Sequence, residues 1–524
     1  MADSHPQPTS RLSGIARAAS IIAIGNIASR VLGLVREMIK AQLFGAGAAT
    51  DALTFALKIP LLIYDLTIGG LVNSALVPVF SGYPDNEHPD LWRLFNTLIT
   101  LTTLALSALL LVAVLFSTEI TALIGSGLIE QALAARLLQI TLPGVLFLSL
   151  SGVVSALLYA LKRFTWPAFT GAIFNATLIV CALLFAPQMG VAGMALGLLV
   201  GSVLQILLQL PGLRDARLRP ALALQHPGLR RIITLYIPII AGLVIAQLAT
   251  YVGINLATRT GEGGLAWMDY ATYLYQFPLG LVATALSFAI LPTLARQAAD
   301  DSPNSLAAFR ETLVQGLNLV LVLIIPATVG LFVLADPIVR LLLERGQFTP
   351  FDTAQTALVL RVFLLGLSFA AVDQMLIFAF YARKDTLTPS LVGVASVGVY
   401  ITTAFALIAP LGLLSLMLAD SLKQISHAVI TGILLGHRLG SFRYTSLGAT
   451  ILKTALAAAI MGIATEAVYA LLTTLPLANS LFTRLLVVVI PASAGALLYL
   501  SLITLLRVSE LQLLLAALRR RLLP

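Results

Sequence analysis

Between Ser29 and Asp65 the chain reads SRVLGLVREMIKAQLFGAGAATDALTFALKIPLLIYD. Two apolar helical segments are joined there by a short loop, Gly45 to Thr50, and inside them sit Arg30, Arg36, Glu37, Lys40, Asp51, Lys58 and Asp65. In hydrocarbon each such group costs roughly 2.5–3.5 kcal/mol unless it faces a cavity or a partner. A polar substrate pathway would offset that cost, and so would pairing. Arg30 stands fifteen residues before Gly45 and Asp65 fourteen after Asp51. At the helical rise both lie about 21–23 Å from the loop, and Arg36 and Glu37 fall level with Lys58. The spacing therefore predicts Asp65 paired with Arg30, and Lys58 with Glu37, across the hairpin. A second set, Asp420, Lys423 and His427, shares one helical face at i, i+3 and i+7. It reads as a local ion pair beside a solvated histidine, with proton coupling as the functional alternative. Asp373 and Glu466 are isolated carboxylates with no evident partner.

What must position these groups is a membrane-spanning bundle. The mean hydropathy is +0.98 over 524 residues, 59% of them hydrophobic and 10% charged. Repeated apolar runs of about 20 residues make this a polytopic membrane protein. In hydrocarbon such segments are helices, because an open sheet edge would leave amides unpaired. The expected fold is all-α with fourteen spans, the first at 14–43 and the last at 481–506. Cys181, alone in an apolar run, excludes an internal disulfide and reads as packing. The polar Met1–Arg11 reads as a retained tail. There is no GxxxxGKS/T loop, no HExxH and no His/Cys metal spacing, so no enzyme, cofactor or metal is expected.

The net charge of +9 is largely topology. Twenty basic residues, among them Lys162, Arg163, Arg214, Arg230, Arg383 and Lys384, fall in one alternating set of loops and tails. The opposite set holds Arg259, Arg340 and Arg345, with Lys40 near a helix end. The positive-inside rule puts both termini in the cytoplasm and leaves no charge to explain by nucleic acid. Leu511–Leu523, with Arg519, Arg520 and Arg521, reads as an amphipathic helix on the anionic inner surface, so membrane lipids are expected partners.

Two internal matches suggest duplication. DALTFALKIP at Asp51 and DYATYLYQFP at Asp269 are 218 apart, and YALKRFTWP at Tyr159 and YARKDTLTP at Tyr381 are 222 apart. The chain therefore divides into residues 1–212 with spans 1–6, 213–440 with spans 7–12, and 441–524 with two extra helices and the tail. Halves read in the same sense are parallel repeats, related by an axis along the membrane normal. Gly193, Gly197 and Gly201 on span 6 suit close helix packing. Pro60, Pro78, Pro278 and Pro292 interrupt spans 2 and 8, as hinges or as bends that shape a cavity.

SRVLGLVRE, FGAGAATDA, ALKIP, ALVPVF, ERGQFTPFDT and YARKDTLTP together resemble the MurJ (MviN-type) lipid II flippases, over nearly the whole chain. Those belong to the multidrug/oligosaccharidyl-lipid/polysaccharide exporter superfamily. The resemblance implies two six-helix lobes around a central cavity, with spans 13 and 14 forming a groove for a polyprenyl tail. It implies peptidoglycan biosynthesis: undecaprenyl-pyrophosphate-linked disaccharide-pentapeptide is carried from inner to outer leaflet of the bacterial cytoplasmic membrane by alternating access. Cell-wall synthesis proteins are the protein partners that go with it. By match to the family's motif, Arg30, Arg36, Asp51 and Lys58 are the substrate-binding residues. Arginine forks suit the roughly two charges of a diphosphate. Asp51, at a span start, equally suits capping its own helix.

The chain also departs from the family. Tyr64 and Asp65 stand at adjacent arginine positions of span 2, and Tyr273 at an arginine position of span 8. Gly253 and Tyr400 occupy sodium-site positions of some relatives, and neither is a ligand. These differences keep open a flippase for another polyprenyl-linked saccharide, a solute exporter, or a non-transporting homologue. A membrane glycosyltransferase would need loop carboxylates at a metal site, which the short loops lack.

Overall fold

The structure is a computed structural model describing residues 8–83, 88–214, 216, 218–300, 302–440, 446–476 and 480–508. The amphipathic tail expected at Leu511–Leu523 lies outside them. Among the described residues fourteen long helices follow one another in chain order. The first seven are α1 Pro8–Phe44, α2 Ala48–Phe80, α3 Pro89–Leu115, α4 Gln131–Ala160, α5 Thr170–Met189, α6 Ala192–Leu213 and α7 Pro227–Thr258. The rest are α8 Gly264–Gln297, α9 Pro303–Val333, α10 Pro350–Ala382, α11 Leu387–Leu411, α12 Leu414–Leu439, α13 Leu447–Thr473 and α14 Leu481–Leu505. Among the described residues eleven helices are long and apolar enough to cross a membrane, and α7, bent by 51° between Ile237 and Gly242, makes twelve. The remaining two, α1 and α12, have 37 and 26 residues and so the length to cross. They are the helices that carry Arg30, Arg36, Glu37 and Lys40, and Asp420, Lys423 and His427.

The chain forms two compact units, Met1–Ala266 with Arg345–Phe348, and Trp267–Glu344 with Thr349–Pro524. In the first, α4 packs on α2, α3 and α6, and α5 on α6. In the second, α10 packs on α8, α9 and α12, and α11 on α12, so the pairings recur with each helix number raised by six. In the second unit α13 also packs on α9 and α14. This grouping keeps α7 with the helices before it.

Backbone geometry repeats as well. Lys162 and Lys384, 222 residues apart, both take a left-handed conformation, with φ of 59° and 60°. Each closes a helix in the same way: Lys162 and Arg163 donate to the carbonyls of Tyr159 and Leu158, and Lys384 and Asp385 to those of Tyr381 and Phe380. A non-glycine residue pays for that conformation, so its recurrence at the same offset is hard to obtain without duplication. Gly190 and Gly412, also 222 apart, and Gly45 and Gly263, 218 apart, share the left-handed region in the same way.

The prolines leave a mark too. Pro60 has no amide to give the Ala56 carbonyl, and the buried Thr141 hydroxyl of α4 donates to that carbonyl at 2.8 Å instead. Beyond Pro60 the helix relaxes into π turns at Asp65–Gly69 and Val72–Leu76, and beyond Pro278 into one at Leu279–Thr284. The glycine stripe of α6 does pack closely. A Cβ on Gly197 would lie 2.9 Å from Leu178 Cα on α5.

Two outcomes follow. Gly197→Leu lowers the unfolding temperature of the solubilised protein, by overpacking worth about 1–3 kcal/mol, whereas Gly398→Ala, with no heavy atom within 4 Å of the added Cβ, leaves it unchanged. Between α10 and α11, burial raises the Asp385 carboxyl, but hydrogen bonds from the Thr388 hydroxyl and amide and from Arg438 outweigh that and hold it at about 2. A depressed carboxyl stabilises above its unfolded value and loses that effect as pH falls through the folded one. Asp385→Asn therefore melts lower than wild type at pH 7, and the gap in thermal midpoint narrows as pH falls from 5 toward 3.

Candidate functional site

The charges of α1 from Arg30 onward divide into an exposed one and a buried cluster. Arg30 is exposed between Ile27 and Val31, which are themselves 56% and 51% exposed. Arg36, Glu37 and Lys40 are buried. The Glu37 carboxylate takes Arg36 Nη2 at 2.7 Å and Nε at 3.0 Å on one oxygen, and Lys40 Nζ at 2.5 Å on the other. Arg36 Nη1 goes on to Asn175 Oδ1 at 3.0 Å, and Asn175 Nδ2 donates to the carbonyls of Ser29 and Gly171. Two cations thus meet one anion, and the amide of Asn175 ties the cluster to α5. Sequence reasoning missed Asn175, because an amide in an apolar run carries no periodic signal.

Neither cross-hairpin pair is formed as expected. Glu37 draws Arg36 and Lys40 from its own helix in place of Lys58, which is half-buried on α2. Among the described residues no ion pair joins Arg30 to Asp65, and both are exposed. Equal depth is not equal direction. α1 leans on α5 and α2 leans on α4, and the π turn beginning at Asp65 changes the angular step at the position where the pair was expected.

Asp51 caps a helix, but not its own. It is 4% exposed, and its two oxygens accept from the Gly263 and Ala266 amides at 2.7 and 2.8 Å, at the start of α8. In return Glu262 Oε1 accepts from the Ala48 amide, the first of α2, at 3.1 Å. Each carboxylate satisfies amides that a helix start leaves unpaired. Beside them Gln347 donates its amide to the Gln42 carbonyl at 3.0 Å, which brings the 345–348 segment against the end of α1.

On α12, Asp420 and Lys423 form the expected local ion pair, and the Lys423 ammonium lies 5.6 Å from the centroid of the Tyr400 ring. Tyr400, one of the sodium-site positions of relatives, thus already faces a cation. His427 is not solvated as expected. It is 9% exposed and bonds Asp373 of α10 at 2.6 Å. Asp373, read as isolated, therefore has a partner. Two ionisable groups within membrane helices were themselves the signal, since such groups seldom stand alone. Among the described residues no three His, Cys, Asp or Glu side chains could hold a metal ion.

The second unit also holds an apolar groove of about 820 Å³ between α9, α10, α12 and α13, lined by Leu317, Leu321, Phe369, Leu376, Ile433 and Ile451 among others. Of the two extra helices, α13 lines it.

A match to the family described as Lipid II flippase MurJ covers residues 40–488. The chain belongs to the MurJ family. It is 32% identical to a lipid II flippase MurJ of Burkholderia cenocepacia over 72% of this chain and 74% of that one. It is 34% identical to a probable lipid II flippase MurJ of Vibrio cholerae over 71% and 74%. A solved MurJ structure in an inward closed conformation superposes with a TM-score of 0.78 at 26% identity, covering 92% of this chain and 98% of that one. An inward-facing multidrug resistance MATE transporter of the MOP superfamily shares the fold at a TM-score of 0.64 and 13% identity, over 80% and 96%.

Asp51 and the Arg36 cluster are thus held by the protein itself, and Arg30 is exposed. Asp51→Ala strands two buried amides, each costing about 1–3 kcal/mol. The expected result is a lower unfolding temperature together with unchanged binding of lipid II to the variant that remains folded; a loss of binding at full stability would give Asp51 a contact with substrate.

Proposed function

We propose that this chain is a lipid II flippase, carrying lipid-linked peptidoglycan precursor from the inner to the outer leaflet by alternating access. The observation that carries the reading is family membership across residues 40–488, with relatives above 30% identity named for that activity. In this reading all fourteen helices cross the bacterial inner membrane, α1 and α12 included, with both termini in the cytoplasm. The three blocks 1–212, 213–440 and 441–524 are two repeats and an added pair of helices. The chain works as a transporter, with no chemistry done on the substrate, and delivers it to cell-wall synthesis proteins.

Arg30 is the residue proposed to meet the diphosphate, with Arg36 and Lys58 of the same hairpin as further substrate-side cations. A guanidinium on phosphate is a charge-assisted, bidentate contact. The apolar groove, about 820 Å³, suits part of a polyprenyl chain. The π turns of α2 and α8 are places where helices can bend with little loss of packing. A second reading, transport of another polyprenyl-linked saccharide or solute, is favoured by Tyr64 and Tyr273 at family arginine positions.

Growth of a bacterium depleted of its own flippase decides between them. Wild type restores growth, Arg30→Ala fails to, and Arg30→Lys restores it in part, since one hydrogen-bonded charge contact is worth about 1.5–3 kcal/mol, or roughly 10–100-fold. Failure of stably expressed wild type to restore growth overturns the lipid II assignment in favour of the second reading.

A further inference from the structure

We propose that Asp373 and His427 form a proton-binding site through which the C-terminal repeat couples its packing to a transmembrane proton gradient. The site stands on geometry alone; the coupling rests on the flippase reading above.

The hydrogen-bond inventory is fully used only when both ring nitrogens carry or share hydrogen. His427 Nε2 faces the Pro389 carbonyl of α11 at 3.3 Å, and a carbonyl only accepts, so this contact is a hydrogen bond when Nε2 carries hydrogen. Nδ1 faces Asp373 Oδ1 at 2.6 Å, with the Thr431 hydroxyl at 3.2 Å. A neutral ring with hydrogen on Nε2 presents a lone pair at Nδ1, and an ionised carboxylate presents another. A hydrogen therefore lies between them. In the loaded state the pair is either imidazolium with carboxylate or imidazole with carboxylic acid, and both forms are neutral overall and carry the same extra proton. Loading forms an N–H bond on the His427 ring or an O–H bond on Asp373, with the proton taken from water. Release breaks that bond and returns the proton to water, and no electrons change hands.

Loss of one proton sets a lone pair of Nδ1 against the carboxylate or a lone pair of Nε2 against the Pro389 carbonyl, and either way leaves a net negative charge where Asp373 and His427 are only 6% and 9% exposed. A net buried charge is strongly unfavourable, so proton release loosens the packing around the dyad. The same step removes a contact that holds α10, α11 and α12 to one another. The site is closed as it stands, and proton exchange and repacking must therefore occur together.

The duplication supplies an internal control. At the 222-residue offset, Asp373, His427 and Thr431 correspond to Ser151, Gln205 and Gln209. Those residues bond in the same places: Ser151 Oγ with Gln205 Oε1 at 3.2 Å, and Gln209 Nε2 with Ser151 Oγ at 2.6 Å. A neutral pair suffices to join α4 to α6. The second repeat has an ionisable pair where packing alone does not require one.

Other charges around the dyad are few. α10 carries Tyr381 two turns on, α12 carries the Asp420–Lys423 pair one to two turns back, and α11 carries Tyr400 under Lys423. Arg296, Arg310, Glu311 and Lys453 sit near the ends of α8, α9 and α13. Asp336, in the short helix Ala335–Leu342, pairs with Arg361 three turns from Asp373 along α10, and Arg340 of that helix pairs with Glu344. None of these replaces either partner of the dyad in the contacts above.

The test uses the full chain in lipid nanodiscs with ¹⁵N-labelled histidine, of which the sequence has five. The His427 signals are those absent from His427→Gln. Between pH 5 and 9 the ring is expected to pass in one step from the proton-sharing form to a neutral tautomer, and Asp373→Asn moves that step to lower pH. A wild-type ring that keeps one neutral tautomer throughout overturns the site. For coupling, lipid II flipping is measured in proteoliposomes under an imposed pH gradient. Wild type is expected to change rate several-fold with the sign of the gradient, and the variant Asp373→Ser with His427→Gln, which copies the first repeat and so keeps its packing, responds less than twofold. An equal response from both overturns coupling. Absence of flipping in wild type counts against the flippase reading, and the histidine spectra still decide the site.

Discussion

A charge placed in hydrocarbon must find a partner within a few ångströms, and that single demand organises much of this molecule. Glu37 gathers Arg36 and Lys40, Asp373 gathers His427, and Asp420 gathers Lys423. In each case the contact lies on one helix or between helices of one compact unit. The charged residues thus fasten α1 to α5 and α10 to α12, where apolar packing alone would allow sliding. On α1 and α12 the same demand directs buried polar groups at neighbouring side chains.

Backbone groups obey the same rule. Helix starts and proline gaps leave amides and carbonyls that water cannot reach, and the chain meets them with side chains. Asp51 and Glu262 exchange caps between two helix starts, and Thr141 fills the gap above Pro60. Thr349 and Asp352 close a capping box at the start of α10, and the Trp267 indole donates to the same Asp352 carboxylate. Asp51, Pro60, Thr349 and Asp352 belong to the conspicuous motifs FGAGAATDA, ALKIP and ERGQFTPFDT. What makes a motif stand out in the sequence is here its role in finishing helix ends.

That distinction marks how far the sequence could be read. Spans, the duplication and the family were legible because hydropathy is a property of a window and repeats are a property of spacing. Partner choice was not. The Arg30–Asp65 and Lys58–Glu37 pairs were argued from depth along a helix, which sequence gives, while the actual contacts depend on direction around it, which only packing gives. Asp51 shows the same limit, since a carboxylate in the first turn of one helix satisfies another helix 212 residues away. Asp373 and His427 lie on different helices, and no local spacing could join them. They became a pair only when α10 met α12.

The duplication then separates what packing requires from what function adds. Where both repeats use the same device, as with the left-handed Lys162 and Lys384, the device serves the fold. Where they differ at one register position, the fold has already been shown to tolerate the simpler choice. Ser151 with Gln205 is that simpler choice, and it holds two helices together without any titratable group. An aspartate and a histidine at the matching place add a burden, because each must be kept neutral as a pair inside the bilayer. A pair kept in one repeat and replaced by neutral side chains in the other is therefore an asymmetry that packing does not demand.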